Sequence, residues 1–380
     1  MADADTHPLL RPLKSGRLTF ENRVWMAPLT RCRCDVPGNL VTPLHALYYS
    51  QRASAGLIIS EATQISHEGQ GYARAPGIHT DEQVAAWKVV TDAVHVAGGR
   101  IFCQLWHVGA ISHSIFQPGG GSPVSSSAWH PEGKAYLGDL VPDGERPRHP
   151  LARALELDEM PRLLDDYRHA ARCADAAGFD GVELHAANGY LIQQFLDPNI
   201  NKRTDDYGGS VDNRTRLLGE VLDALQDVLE PDRIGVRLSP PVWLDKAMVE
   251  ETWLAATDRC AGRGLSYLHV LRTDSFRERA ANLEPTSTLF GKMKSAFAGP
   301  FVANASFDGP EATEWIKHGY ADAIAFGRPF ISNPDLPTRL ATGSDVSEWD
   351  QSTFYGGGAA GYTDYPSLRS PEPLNRSERS

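Results

Sequence analysis

Gly181-Val-Glu-Leu-His185 is a short, mostly apolar run that ends in a histidine and leads into a helical pattern. Runs of this kind, rich in Val, Ile and Leu, recur along the 380-residue chain. Their apolar residues are consecutive rather than alternating, as in strands that are covered on both faces. Eight runs qualify as strands: 23–29, 57–61, 100–106, 181–185, 233–238, 266–271, 300–304 and 323–327. The alternation of strands with helical patterns indicates βα units that share one parallel sheet.

Eight βα units in this order predict an α/β protein with a single closed (β/α)8 TIM barrel, with a doubly wound open sheet as the alternative. Such barrels typically need about 250 residues, so roughly a third of this chain should be decoration. We expect most of it in residues 108–157, a Pro- and Gly-rich insertion after strand 3 that would form a lid or hairpin over the barrel mouth. The barrel, with this insertion, should occupy residues 1–365, and residues 366–380 should form a disordered tail.

Composition excludes several classes of function. The net charge is -11 and no basic stripe is visible, which argues against binding to nucleic acid or anionic membranes. The five cysteines have no repeated spacing, so neither a disulfide framework nor a metal site is expected. No signal peptide, transit peptide or membrane-spanning stretch is readable, and a cytoplasmic location is therefore predicted.

Active sites of such barrels lie on loops at the carboxyl ends of the strands. His185 and Asn188 are three residues apart in a turn that leaves the fourth strand, so they can converge as two donors on one oxygen. Such a pair would polarise a carbonyl group, and Tyr190 can then give a proton from the opposite side. Taken alone, His185 is also consistent with a structural histidine or, less readily, a metal ligand.

Other strand ends suit a flavin. The last two strands commonly bind phosphate in these barrels, and Gly327 with Arg328 offers close backbone approach and a planar guanidinium fork. Arg237 projects from the fifth strand, where burial would be costly unless it faced an anion or an electron-rich group. The Gln104 amide can donate and accept along a flavin edge, and the Thr30 hydroxyl can tune the ring.

The segment from His185 to Arg216, HAANGYLIQQFLDPNINKRTDDYGGSVDNRTR, strongly resembles the Old Yellow Enzyme family. Further matching motifs spread the resemblance over nearly the whole chain: APLTR (27–31), GYARAPGIH (71–79), QLWHVG (104–109), AFGR (325–328) and FYGGGAAGYTDYP (354–366). The details are most similar to the classical bacterial branch that includes pentaerythritol tetranitrate reductase, morphinone reductase and N-ethylmaleimide reductase.

The resemblance implies a set of site residues. Non-covalent FMN would be held by Pro28, Leu29, Thr30, Ala62, Gln104 and Arg237, with its phosphate at Asn304, Ala305, Gly327 and Arg328. Oxygen atoms of the substrate would meet His185 and Asn188, and Tyr190 would be the proton donor. The pocket above the flavin would be shaped by Tyr72, Trp106 and Tyr355.

The implied activity is an ene-reductase. NADPH or NADH would reduce FMN and leave, and an α,β-unsaturated carbonyl compound would then take hydride from flavin N5 in the same site. Maleimides, nitroalkenes and nitrate esters are further substrate classes that the resemblance suggests. The one literal Gly-x-Gly-x-x-Gly match, at residues 356–361, lies beyond the last predicted strand and so opens no βαβ unit. It is therefore not a dinucleotide-binding fingerprint, and none is needed where nicotinamide stacks directly on flavin. The resemblance leaves monomer and homodimer open.

Two positions depart from the family pattern. Residues 240–246 lack the Gly-x-Phe pattern that many relatives carry after the fifth strand. The pocket wall formed by this loop is therefore expected to differ from that of those relatives. Ala305 stands where glycine is common beside the phosphate, so the backbone there is expected to be set slightly back.

Two alternative functions remain at this stage. A dienoyl-CoA reductase uses the same barrel but adds an iron–sulfur cluster and further domains, and this chain has no cysteine after Cys260. A barrel that binds flavin or phosphate without turnover is the other, and the presence of His185, Asn188 and Tyr190 argues against it.

Overall fold

The computed structural model describes residues 7–141, 146–272 and 288–368. The strands are β1 (Leu13–Ser15), β2 (Leu18–Phe20), β3 (Val24–Met26), β4 (Ile58–Ile59), β5 (Thr63–Gln64), β6 (Ile101–Trp106), β7 (Val124–Ser125), β8 (Arg153–Ala154), β9 (Gly181–Ala186), β10 (Ile234–Leu238), β11 (Tyr267–Leu271), β12 (Phe301–Asn304) and β13 (Ala323–Phe326). The α-helices are α1 (Pro43–Ser50), α2 (Asp81–Val96), α3 (Met160–Ala176), α4 (Leu191–Leu196), α5 (Val211–Gln226), α6 (Lys246–Cys260), α7 (Leu289–Phe297), α8 (Gly309–Lys317), α9 (Arg328–Ser332) and α10 (Leu336–Thr342).

The central sheet is a closed parallel barrel. Its order runs β4-β3-β13-β12-β11-β10-β9-β6, and β4 also pairs with β6, which closes the ring. The short β5 pairs with the later part of β6, so β4 and β5 are two pieces of the second barrel strand. Each of the eight predicted runs overlaps one barrel strand, with starts that agree to within one residue. The predicted (β/α)8 barrel is confirmed, and the alternative prediction of a doubly wound open sheet is wrong.

Side chains alternate between the two faces of each barrel strand. Outward residues such as Val182, Leu184 and Ala186 of β9 join the main hydrophobic core with the surrounding helices. Inward residues near the amino ends of the strands form a second apolar cluster, in which the Trp25 ring lies 4.7 Å from Phe20. Because both faces are buried, the strands appear in the sequence as continuous apolar runs.

The insertion after β6 contains the expected hairpin. Trp129 pairs with Ala152 and Lys134 with Arg148, both antiparallel, and Tyr136 bridges to Tyr72 at the barrel mouth. Residues 142–145 lie outside the described ranges, as does most of the predicted tail (369–380). No helix of the described residues is long and apolar enough to cross a membrane. All five cysteines are buried and free.

Candidate active site

Inward positions toward the carboxyl ends of the barrel strands carry polar side chains. These buried residues are Gln104, Glu183, His185, Arg237, His269 and Asn304. Parallel register places Gln104 beside Glu183, and Arg237 lies between His185 and His269. Burying so many polar groups in one layer is costly unless they bind one another or a ligand.

Three aromatic rings, of Tyr72, Trp106 and Tyr190, meet the His185 ring at the upper side of this layer. The Trp106 ring stacks on Tyr72 at 5.3 Å and meets the edge of Tyr190 at 5.0 Å. The His185 and Tyr190 rings are also 5.0 Å apart, nearly perpendicular. The hydroxyl oxygens of Tyr72 and Tyr190 lie 3.1 Å apart and share a hydrogen bond. The structure thus brings together four of the predicted site residues, drawn from three separate strand ends.

The turn after β9 controls how His185 is presented. Nδ1 of His185 accepts a hydrogen bond from the Ala187 N–H at 3.3 Å, so the neutral ring carries its proton on Nε2. Asn188 adopts φ 58°, a left-handed conformation that asparagine tolerates, and its N–H donates to Ser239 Oγ. Its side chain is exposed, whereas His185 is buried. No described hydrogen bond joins the two predicted donors.

Burial determines the protonation of both reactive groups. Desolvation lowers the pKa of His185 well below its usual range, and the positive charges of Arg237 and His269 lower it further. Desolvation raises the pKa of Tyr190 well above its usual range, with further contributions from Tyr72. At neutral pH the site therefore presents a neutral imidazole donor and a phenol that retains its proton.

A cavity of about 510 Å³ opens at this end of the barrel. Its lining includes seven of the residues predicted for the site: Pro28, Leu29, Thr30, Tyr72, Tyr190, Arg328 and Tyr355. The volume lies within the range of small-molecule and cofactor sites, roughly 300–1,000 Å³. Gly327 lies beside Leu29 at the start of α9, where an added Cβ would come within 3.4 Å of the leucine side chain.

Arg237 gives a direct test of whether these residues fit a flavin. It is buried, one terminal nitrogen donates to Asn304 Oδ1 at 2.9 Å, and its Nε has no hydrogen-bond partner among the described residues. A buried guanidinium with an unused donor is costly and favours an electron-rich ligand. FMN meets this need with its electron-rich ring edge, so the residues present fit the cofactor.

Ala305 adopts φ 95°, which is a conformation that favours glycine. Glycine is common at this position in the family pattern, and the positive φ of the backbone explains that preference. Ser306, the next residue, is also left-handed with φ 55°. The alanine therefore adds strain to the backbone that follows β12.

The loop after β10 carries an exposed tryptophan. Trp243 is 60% exposed, and its indole N–H donates to the Asp197 carboxylate at 3.1 Å. Asp245 then caps α6 by accepting hydrogen bonds from the Ala247 and Met248 N–H groups. In this chain the loop ends in a helix cap, and its aromatic side chain lies largely in solvent.

The segment 350–366, which we call the strap, is held by two arginines that sequence reasoning did not assign. Arg31 donates to the carbonyl oxygens of Phe354, Thr353 and Gly361, and Arg33 donates to carbonyls of the same segment. Because Tyr355 belongs to the strap, these bonds place it at the rim of the cavity. The spacing Arg31-x-Arg33 was visible in the sequence, but its partners lie more than 300 residues away.

Beneath the strap, the Glu61 carboxyl group is completely buried. It accepts hydrogen bonds from the Arg31 N–H and the Tyr49 hydroxyl, and His45 Nε2 lies 3.7 Å away. Burial raises the pKa of Glu61 to about 7, although Arg31 and Arg33 oppose the rise. Burial lowers the pKa of His45 to about 4, so this neighbouring imidazole is neutral at the pH where Glu61 titrates.

This shift predicts a pH-dependent stability. The folded state binds the Glu61 proton more tightly than the unfolded state, so the resulting stability is present below pH 4.5 and lost as pH rises through about 7. The loss should approach about 3 kcal/mol, at about 1.4 kcal/mol per pKa unit. Glu61→Gln, which cannot ionise, should lose less stability between pH 5 and pH 8 in denaturant unfolding. Parallel pH profiles for both proteins would contradict the assignment.

Three comparisons bear on this geometry. Residues 8–346 match the sequence profile of the NADH:flavin oxidoreductase / NADH oxidase family. The chain is 41% identical over 394 residues to 12-oxophytodienoate reductase 1 of Oryza sativa subsp. japonica, covering 99% of this chain and 97% of the rice protein.

Solved structures of two proteins from this family are also similar to the chain. A structure of morphinone reductase in complex with tetrahydroNAD superposes with a TM-score of 0.88 and 45% identity, covering 96% of this chain and 99% of that one. The Old Yellow Enzyme homologue from Zymomonas mobilis gives a TM-score of 0.86 and 42% identity, with 94% and 99% covered. The chain belongs to the NADH:flavin oxidoreductase / NADH oxidase family, the Old Yellow Enzyme family, and is an FMN-dependent oxidoreductase.

Proposed function

We propose that this enzyme uses NAD(P)H to reduce the activated C=C bond of α,β-unsaturated carbonyl compounds. The observation that carries the proposal is the contact between the buried His185 ring and the partly buried Tyr190 ring, whose centres are 5.0 Å apart at the barrel mouth. The lowered pKa of His185 and the raised pKa of Tyr190 leave a neutral imidazole donor beside a phenol that keeps its proton. Reduction of an enone needs a donor for its oxygen and a proton for its α-carbon. These two side chains supply both.

FMN, when bound, supplies the redox centre that accepts hydride from the nicotinamide and passes it from N5 to the alkene. We assign its ring to Pro28, Leu29, Thr30, Ala62, Gln104 and Arg237, and its phosphate to Asn304, Ala305, Gly327 and Arg328. The Arg237 guanidinium, with its unused Nε–H, favours an electron-rich edge. Arg328 is exposed and lines the cavity, where a phosphate can reach it.

His185 binds the substrate oxygen through its Nε2–H, and Asn188, on the same turn, adds a second donor when its side chain turns inward. This interaction withdraws electron density from the alkene and lowers the barrier to hydride arrival at the β-carbon. Tyr190 gives its proton to the α-carbon and is then reloaded from solvent. The rings of Tyr72, Trp106 and Tyr355 confine the substrate and exclude water from this step.

The relatives support a nicotinamide and a small carbonyl compound sharing one site. A structure of morphinone reductase contains tetrahydroNAD. The rice relative is named for the reduction of 12-oxophytodienoate, a compound with an oxo group. A single cavity visited in turn by both reactants implies ping-pong kinetics. Maleimides, nitroalkenes and nitrate esters belong to the substrate classes that we propose to test.

An anaerobic titration tests the proposal. The enzyme's flavin absorbance should bleach on addition of NADPH or NADH and return, after removal of the nicotinamide, on addition of an enone, a maleimide or a nitroalkene. Product analysis should show the saturated carbonyl compound. Flavin that is reduced by nicotinamide but reoxidised only by oxygen would refute the alkene as substrate.

His185→Ala should weaken the binding of phenols, whose oxygen resembles that of the substrate. Loss of a hydrogen bond to a phenolate costs about 1.5–3 kcal/mol, which corresponds to roughly 10- to 100-fold in affinity. The charge-transfer absorbance of phenol titrations gives the dissociation constant. His107→Ala is the control, because this neighbouring buried histidine faces Glu68 outside the polar layer. Equal losses in both variants would contradict the donor role.

A further inference from the structure

Glu183 is a buried carboxylate that the proposed reaction does not use. It lies on β9 two residues before His185, so both side chains point into the barrel, with Glu183 farther from the mouth than His185. It is completely inaccessible to solvent. A carboxylate in such a place needs partners that offset its desolvation.

Both carboxylate oxygens are engaged. Oε1 accepts a hydrogen bond from the Gln104 Nε2 group at 2.7 Å, and Oε2 lies 2.8 Å from His269 Nδ1. An ionised carboxylate can only accept, so both partners must donate. The Gln104 amide is therefore held in one of its two flip orientations, and the His269 ring is held with a proton on Nδ1.

Glu183 also balances charge within the polar layer. Arg237, on the neighbouring strand β10, adds a positive charge that favours the ionised carboxylate, while its guanidinium donates a hydrogen bond to Asn304 Oδ1. Burial raises the pKa of Glu183, but His269, Arg237 and Gln104 together hold it below its usual range. The layer contains the cationic or titratable groups Arg237, His185 and His269, and Glu183 is the only carboxylate among its described members.

We propose that Glu183 is a positioning residue for the cofactor: its carboxylate orients the Gln104 amide and offsets the Arg237 charge, and thereby sets the affinity for FMN and its reduction potential. The inference concerns the cofactor that the family establishes, and it goes beyond the proposed alkene reduction. Failure of the enone assay would leave it intact.

Glu183→Gln tests the inference. The variant keeps the shape but removes the negative charge and frees the Gln104 amide to flip. The uncompensated positive charge should stabilise reduced flavin, so the midpoint potential should rise by the equivalent of about a tenfold shift in equilibrium, about 30 mV for two electrons. The dissociation constant for FMN, measured by fluorescence on apoprotein, should increase severalfold. Glu183→Asp retains the charge but shortens the side chain. It should weaken FMN binding while changing the midpoint potential less than Glu183→Gln does.

A matched control is Asp197→Asn, the same loss of charge at another buried carboxylate, which lies outside the polar layer and bonds Trp243. Its FMN potential should equal that of the wild type. In apoprotein, nitrogen NMR should show that the Nδ1 proton of His269 is held in the wild type and released in Glu183→Gln. If Glu183→Gln does not fold, His269→Gln takes its place and should weaken FMN binding. Unchanged potential and affinity in the folded variants would overturn the inference.

Discussion

Tyr190→Phe is expected to slow reoxidation of the reduced enzyme by an enone by roughly 10²–10⁴-fold, the usual contribution of a general acid. The variant keeps the ring that packs against Trp106 and His185 but loses the proton that is shared with Tyr72. Flavin reduction by the nicotinamide involves no proton from this phenol, so its rate should remain nearly unchanged. Anaerobic stopped-flow measurement separates the two half-reactions.

Tyr136→Phe provides the control for this experiment. Tyr136 lies beside the site, with its ring 6.3 Å from that of Tyr72, but its hydroxyl makes no described bond to Tyr190. The rates of both half-reactions of Tyr136→Phe should therefore match those of the wild-type enzyme. Equal losses in both half-reactions of Tyr190→Phe would refute the role of proton donor.

Arg237→Met is expected to abolish retention of FMN during purification. Loss of one charge-assisted hydrogen bond from the unused Nε–H costs about 1.5–3 kcal/mol, which corresponds to roughly 10- to 100-fold in affinity. The protein should be isolated largely colourless, and its affinity for added FMN can be measured by fluorescence quenching. An unfolded variant would be recognised by its circular dichroism spectrum.

Arg52→Met is the matched comparison. Arg52 is a buried arginine like Arg237, but each nitrogen of its guanidinium already donates to a carbonyl oxygen, of Phe330, Tyr48 or Ile331, at 2.8 Å. Its replacement should lower stability without a specific loss of FMN affinity. If the two variants lose stability and cofactor in the same proportion, Arg237 is structural rather than a cofactor ligand.

The barrel could be predicted from sequence because its strands are buried on both faces. Each of the eight apolar runs overlaps a strand, and their starts agree with the structure within one residue. Several short pairings were not predicted, among them β1 with β2 and β7 with β8. These strands have two or three residues each, too few for a period to be visible.

The candidate site was predicted in part. Tyr72, Trp106, His185 and Tyr190 meet as the strand-end rule expects, because the carboxyl ends of parallel strands converge at one end of the barrel. The inward convergence of Asn188 with His185 was also expected, yet its side chain is exposed in the structure. The left-handed turn and the bond to Ser239 determine that placement, and Ser239 lies 51 residues further along the chain.

The sequence by itself determined the barrel, the family and the residue types at the mouth, since these depend on periodicity and local motifs. Only the tertiary structure decided which groups are paired. Glu183 appears in the sequence as one polar residue within the run Gly181-Val-Glu-Leu-His185, and its partners Gln104 and His269 are 79 and 86 residues distant. Hydrogen bonds and charge balance depend on distances of about 3 Å, which closure of the barrel sets and no local pattern encodes.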